Sequence, residues 1–191
     1  QLRSNESCAA LGHDPEGVHQ VRVALRRLRS VFSLFRDNLP PDAADLVAEL
    51  RWLAGACGPA RDWDVFIVQV LTPLRERLPR EASLARLAEA AVAERATAYA
   101  AVREALAAPR TTILKLRLGQ FLTAPWNLPA GTPALVAFAD AVLRKRYRKL
   151  AELGRRKAEL GPEQLHALRL LAKKQRYATE FFRGLYGKKA V

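Results

Sequence analysis

The sequence predicts an all-α protein with internal pseudo-symmetry, on three observations. Ala, Leu, Arg and Glu, all strong helix formers, dominate the chain. Gly and Pro collect between segments whose apolar residues recur at steps of three and four, and no strand-like alternation stands out. A basic motif occurs twice: Pro15, Glu16, His19, Arg22, Arg26, Arg27 and Arg29 match Pro162, Glu163, His166, Arg169, Lys173, Lys174 and Arg176, each pair 147 residues apart. A chance charge run would not hold a histidine, four cations and a helix-start signal in register. Two copies of one helix imply a pseudo-symmetric fold. The matched cations imply that both copies face one anionic partner.

The expected helices are 15–37, 41–56, 62–78, 81–107, 110–124, 133–159 and 162–186. The first and last begin at Pro15 and Pro162, because proline fits a first helical turn where its missing N–H costs nothing. Glu16 and Glu163 suit the positive end of the helix dipole. In the first copy Val18, Val21, Leu25, Leu28, Phe32 and Phe35 form a buried stripe. His19, Arg22, Arg26 and Arg29 follow the same steps one residue later, so they lie about 100° round the helix, along the border of the apolar face. In the second copy Leu165 and Leu168 start the stripe, with Leu171, Phe181 and Phe182 sharing its packing. Ala172 and Gln175 replace Leu25 and Leu28 there, so this stripe is the weaker one.

Pro40-Pro41, Gly58-Pro59, Pro79 and Pro109 separate the middle helices. Residues 125–131 form the one convincing long loop, and Gly154 is a candidate break inside 133–159. Asp62, ahead of the apolar run Val65–Leu71, reads as an N-cap with a local ion pair, a reading preferred to a ligand role for Asp62 and Asp64. The repeat offset places the counterpart of that element near position 209 and leaves only residues 1–14 of the helix that should mirror 133–159. On this reading the chain is a fragment, or incompletely covered, at both ends.

The 191 residues suffice for one domain or two small ones, and a half-apolar composition predicts a globular chain. The formal charge is +13, and residues 141–191 alone hold 15 Lys/Arg against 4 Glu. That excess points to a polyanion: nucleic acid, an acidic membrane surface or a phosphate polymer. Part of it lies in Arg144-Lys145-Arg146-Tyr147-Arg148-Lys149, where Arg144 and Arg148 share one face and Lys145 and Lys149 the next. One of these rows is expected to join the motif surface. Cys8 and Cys57 are too few for a disulfide framework and suggest buried thiols in a reducing compartment. No apolar stretch approaches the roughly 20 residues of a membrane span, and no signal peptide is visible. A cytoplasmic location is the expectation.

Three ordered motifs carry a resemblance over about residues 14–187. They are Pro15-Glu16-x-Val18-His19-x-x-Arg22-Val23-x-x-Arg26-Arg27-x-Arg29, then Leu53-x-x-x-x-Gly58-x-x-Arg61-Asp62-x-Asp64-Val65, then Leu165-His166-x-Leu168-Arg169-x-x-x-Lys173-Lys174-x-Arg176-Tyr177-x-x-Glu180-Phe181. This pattern resembles the CHAD family, the conserved-histidine α-helical domains. The resemblance implies a single CHAD-like domain over 1–191, with repeat halves of about 1–108 and 109–191. It implies two four-helix bundles related by a pseudo-twofold axis, and leaves open whether the second bundle is complete in this chain. It also implies a basic central cavity that binds inorganic polyphosphate, and so a place at polyphosphate granules. Such domains often accompany a triphosphate-tunnel hydrolase of the CYTH type, which makes that enzyme, or another polyphosphate-metabolising protein, an expected partner. This sequence departs from the family at Gln175, where an apolar residue is usual, and in lacking a second element like Gly58–Asp64.

Polyphosphate carries about one charge per phosphate and no base edges, so it calls for a row of cations without a stacking platform. Arg offers a planar donor fork and Lys a mobile point charge. The first candidates are Arg22, Arg26, Arg29, Arg169, Lys173 and Arg176. Arg27, Lys174, Arg144 and Arg148 follow. His19 and His166 either donate to phosphate, with affinity rising toward pH ~6.5, or orient a neighbouring arginine.

Three other classes compete. A nucleic-acid or general polyanion binder fits the charge, but the motifs lack interleaved aromatics and helix-turn-helix spacing, so nucleic acid is expected only as a weaker competitor. A phosphatase or phosphotransferase would need metal-binding carboxylates or a nucleophile. Glu16/His19 and Glu163/His166 satisfy Glu-x-x-His spacing formally, yet the first-turn position explains the glutamates and the cations would repel a metal. A scaffold docking an acidic protein is the third. The expectation is therefore no catalysis, no metal, no cofactor and no membrane partner.

Overall fold

A computed structural model describes residues 1–125, 131 and 133–186. Among them every regular element is helical, and the fold is all-α. The helices are α1 (Leu2–Leu11), α2 (Pro15–Leu34), α3 (Ala43–Ala56), α4 (Gly58–Phe66), α5 (Thr72–Arg77), α6 (Ala82–Ala107), α7 (Pro109–Thr123), α8 (Leu135–Arg155) and α9 (Pro162–Phe182). One π-helical segment, Ile67–Leu71, joins α4 to α5, and short 3-10 turns follow α2, α8 and α9. The helix breaks at Phe35, Arg156 and Arg183 account for the slightly longer helices expected at 15–37, 133–159 and 162–186. Gly154 does not break α8, which runs one residue past it. The expected loop at 125–131 lies, for residues 126–130, outside the described residues.

The expected helix start at Asp62 is corrected. Gly58-Pro59 separates α3 from α4 as expected, but the second helix begins at Gly58 itself, with Pro59 in its first turn. Asp62 lies inside α4, exposed, and caps nothing.

The chain divides into two compact units: Gln1–Arg29 with Pro41–Ala124, and Ser30–Pro40 with the residues from Pro125 onward. This is a boundary of packing, whereas the repeat boundary near residue 108 is one of sequence.

In the first unit the long helix α6 receives α1, α3, α4 and α7 along its length. Its core holds Val18, Val21 and Leu25 from α2, Leu46, Leu50 and Leu53 from α3, Tyr99 and Val102 from α6, and Leu114 and Leu118 from α7. Burying each such large side chain contributes about 1.5–3 kcal/mol. The predicted stripe of α2 is thus the buried one. Two glycines set the placement of α1. Gly12 ends it in a left-handed conformation, φ 70°, with its N–H on the Cys8 carbonyl at 3.2 Å. An added Cβ there would meet the Tyr99 ring at 2.6 Å. At Gly17 a Cβ would meet the Ala9 backbone nitrogen at 2.6 Å, so α2 passes too close to α1 for any side chain.

In the second unit α8 and α9 pack together. Leu34, Ala139, Ala178 and Phe182 are buried there, flanked by Phe35, Phe138, Val142, Leu143 and Tyr186. Phe35 stacks on Phe138 with centroids 5.0 Å apart and meets Phe182 edge-on at 6.1 Å. Tyr186 donates to Asp140 Oδ1 at 2.6 Å. The second stripe needs correcting. Leu165 is 46% exposed, and the row turned inward is Leu168, Leu171, Gln175, Ala178 and Phe182. Ala172 offers little apolar surface, whereas Leu171 and Phe182 offer much, so α9 is turned toward them. The amide oxygen of Gln175 is buried there with no hydrogen-bond partner among the described residues.

Candidate functional site

The first motif lies on α2, from its first residue Pro15 to Arg29. Arg22 is partly buried, and its Nη1 donates to the Ala54 carbonyl in the last turn of α3 at 2.9 Å. Its guanidinium passes 3.4 Å from where a Cβ on Gly58 would stand, at the α3–α4 junction. A cation at a helix C-terminus is favourably placed against the helix dipole. Arg22 therefore fixes the junction as well as offering charge. Arg26 and Arg27 are exposed, Arg29 and His19 partly so. Arg27 Nη1 donates to Gln1 Oε1 at 3.2 Å.

Cys57 lies buried beside Arg22. Burial pushes its thiol up to about 11 from an ordinary 9.0, against a smaller opposing pull from the Arg22 charge. The folded value exceeds the unfolded one, so the stability this thiol contributes is complete below pH 9 and lost as pH rises through about 11. Tyr99, raised by burial and then by its hydrogen bond to Asp64, pushes the same way above pH 10. The melting temperature should fall between pH 9 and 11, and Cys57→Ala should reduce that slope without abolishing it. Alkylation of Cys57 in the folded protein at pH 8, followed by mass spectrometry, should be far slower than in denaturant.

Asp64, from the second motif of the resemblance, faces inward with its side chain 0% exposed. It accepts from Arg95 Nε at 2.7 Å and from Tyr99 Oη at 2.9 Å. Arg95 Nη2 in turn donates to the Gly12 carbonyl at 3.0 Å, and its guanidinium lies 4.3 Å from the Tyr99 ring centroid. Asp64 is thus fully engaged in joining α1, α4 and α6. Sequence spacing suggested a local ion pair, but its partners lie 31 and 35 positions away.

The second motif lies on α9. His166, Arg169, Lys173, Lys174 and Arg176 are all exposed. Relative to the inward row, His166, Arg169, Lys173 and Arg176 lie roughly 110–190° round the helix, on the side of α9 away from α8. Arg176 carries a long ion pair to Glu180 at 3.7 Å and lies over Tyr177. On α8, Arg144, Lys145, Arg148 and Lys149 are exposed too. Arg148 lies about 180° from Ala139 on that helix, so it points away from α9 and does not extend the α9 row. Arg144 pairs with Asp140 at 3.6 Å. Sequence reasoning passed over one member of this run. Arg146, between the two rows considered, is partly buried and donates Nη1 to the Lys174 carbonyl at 3.1 Å. Its position in the step-of-three-and-four series with Ala139, Leu143 and Leu150 was the available signal.

Among the described residues no group of three His, Cys, Asp or Glu side chains could hold a metal ion, and no helix is long and apolar enough to cross a membrane.

The family model of the CHAD domain matches residues 1–191. The chain belongs to the CHAD family. Its structure is similar to the crystal structure of the CHAD domain from the plant Ricinus communis, with a TM-score of 0.81 and 32% identity, over 98% of this chain and 62% of that one. The chain thus spans 62% of the length of that relative. It is also similar in fold to PptA from Streptomyces chartreusis, with a TM-score of 0.67 and 17% identity, over 94% of this chain and 71% of that one. No curated protein matches.

Proposed function

We propose that this CHAD domain binds inorganic polyphosphate without hydrolysing it, through the cations of both motif helices. The observation that carries the reading is the duplicated row: α2 and α9 each bear a histidine and four cations in register, on helices that pack by another face. Family membership supports the same ligand. A phosphate polymer presents charges at short, regular intervals, which a helical row of guanidinium and ammonium groups can meet in succession. Hydrogen bonds to charged groups are worth about 1.5–3 kcal/mol each, so several give tight, salt-sensitive binding. A basic central cavity, a location at polyphosphate granules and a partner enzyme of the triphosphate-tunnel type belong to this proposal, as does the lack of catalysis. Nucleic acid fits less well because the cation rows carry no stacking aromatics between them.

Like charges about 4 Å apart repel by roughly 4 kcal/mol at an effective dielectric near 20. Bound polyanion relieves such repulsion and stabilises the folded state by mass action. Long-chain polyphosphate should therefore raise the melting temperature in a concentration-dependent way, less so at high salt. A flat response across saturating concentrations would refute the reading.

A further inference from the structure

We propose that Arg146 is a phosphate-binding anchor of the second motif, gripping one phosphate group of the chain beside Lys174. The inference rests on the polyphosphate reading above and adds a residue to it. Within the run Arg144–Lys149, Arg146 is the cation drawn out of solvent, while Arg144, Lys145, Arg148 and Lys149 are exposed. Its Nη1 donates to the Lys174 carbonyl at 3.1 Å, which places the guanidinium against α9 at a motif residue.

Among the described residues no carboxylate pairs with it, whereas Arg144, Arg156 and Arg176 have Asp140, Glu159 and Glu180. A guanidinium has five N–H donors in a rigid fork, and one is engaged here. A partly buried cation without a counter-charge is costly, and burial pushes its guanidinium below the ordinary value. The acceptor residue itself, Lys174, adds positive charge and no compensation. A solvated strut would not need to be charged: a neutral amide could serve the Lys174 carbonyl as well. A charged fork held in place, with donors to spare beside Lys174, is suited to a tetrahedral dianion or a phosphodiester-like link, whose oxygens it can take in pairs.

The test compares wild type, Arg146→Gln and Arg146→Lys for melting temperature without ligand and for affinity toward long-chain polyphosphate. Gln keeps a donor for the Lys174 carbonyl and removes the charge. Lys keeps the charge and loses the fork. The expected result for Arg146→Gln is an unchanged or higher melting temperature with affinity lowered roughly tenfold to a hundredfold. Arg146→Lys should fall between Gln and wild type. Wild-type affinity in Arg146→Gln, with or without a lower melting temperature, would make Arg146 a strut and overturn the proposal. Should Arg146→Gln fail to fold, full affinity in Arg146→Lys overturns it and reduced affinity with an unchanged melting temperature supports it. Absence of binding in the wild type is a separate outcome: it removes the polyphosphate reading itself.

Discussion

Asp64→Ala should lower the stability of the protein by about 3–5 kcal/mol, the cost of breaking a buried ion pair from one side. For a chain of this length that corresponds to a fall in melting temperature of roughly 10 °C or more. The loss is large because three elements depend on one carboxylate. Removing it strands the Tyr99 hydroxyl inside the core and leaves Arg95 with only the Gly12 carbonyl as a described hydrogen-bond partner. Asp64→Asn, which keeps an acceptor for one of the two donors, should cost less. Calorimetry of the two variants decides the point, and an unchanged melting temperature in Asp64→Ala would show that the network is slack. Below its own melting transition the Asp64→Asn variant should still bind polyanion, because Asp64 faces the core.

The largest effect on binding should come from removing charge in both motif helices together. Arg26→Gln, Arg169→Gln and Lys173→Gln are the substitutions of choice, since all three side chains are exposed. Arg22 is a poorer probe, because its Nη1 also holds the end of α3 and its loss would mix stability with affinity. Each cation lost should lower polyphosphate affinity about tenfold to a hundredfold, so the triple variant should bind at least a thousandfold more weakly on the order of those figures. The melting temperature without ligand of the Arg169→Gln/Lys173→Gln pair should hold or rise as self-repulsion falls. If one chain of polyphosphate engages both helices, variants confined to α2 and variants confined to α9 should each weaken binding of the same long chain.

Most of the fold was legible because its determinants are local. Pro15 and Pro162 start helices, and the alternating steps of Val18, Val21, Leu25 and Phe32 mark a buried stripe that the structure repeats residue for residue. What escaped the sequence depends on pairing between distant segments. Asp64 looked like half of a local motif until α6 supplied Arg95 and Tyr99. Leu165 looked buried by analogy with Val18, but α9 turns Leu171 and Phe182 inward instead. Gly58-Pro59 marked the gap between two helices, but not that the second begins there, because proline both ends and begins helices. Arg146 was passed over within a run of cations, although its helical spacing from Ala139 and Leu143 marked the face that the α8–α9 pairing turns inward. The residues of the candidate site were the easiest to pick out, since a duplicated row of cations declares itself without any knowledge of packing.

Binding of long-chain polyphosphate, measured against single-stranded RNA of equal charge as competitor at physiological and at high salt, tests the central claim most directly. The account predicts that RNA fails to displace polyphosphate at matched charge, that affinity falls steeply with salt, and that the Arg26/Arg169/Lys173 variant loses the preference. Equal or stronger binding of RNA, or polyphosphate binding undiminished in that variant, would contradict it.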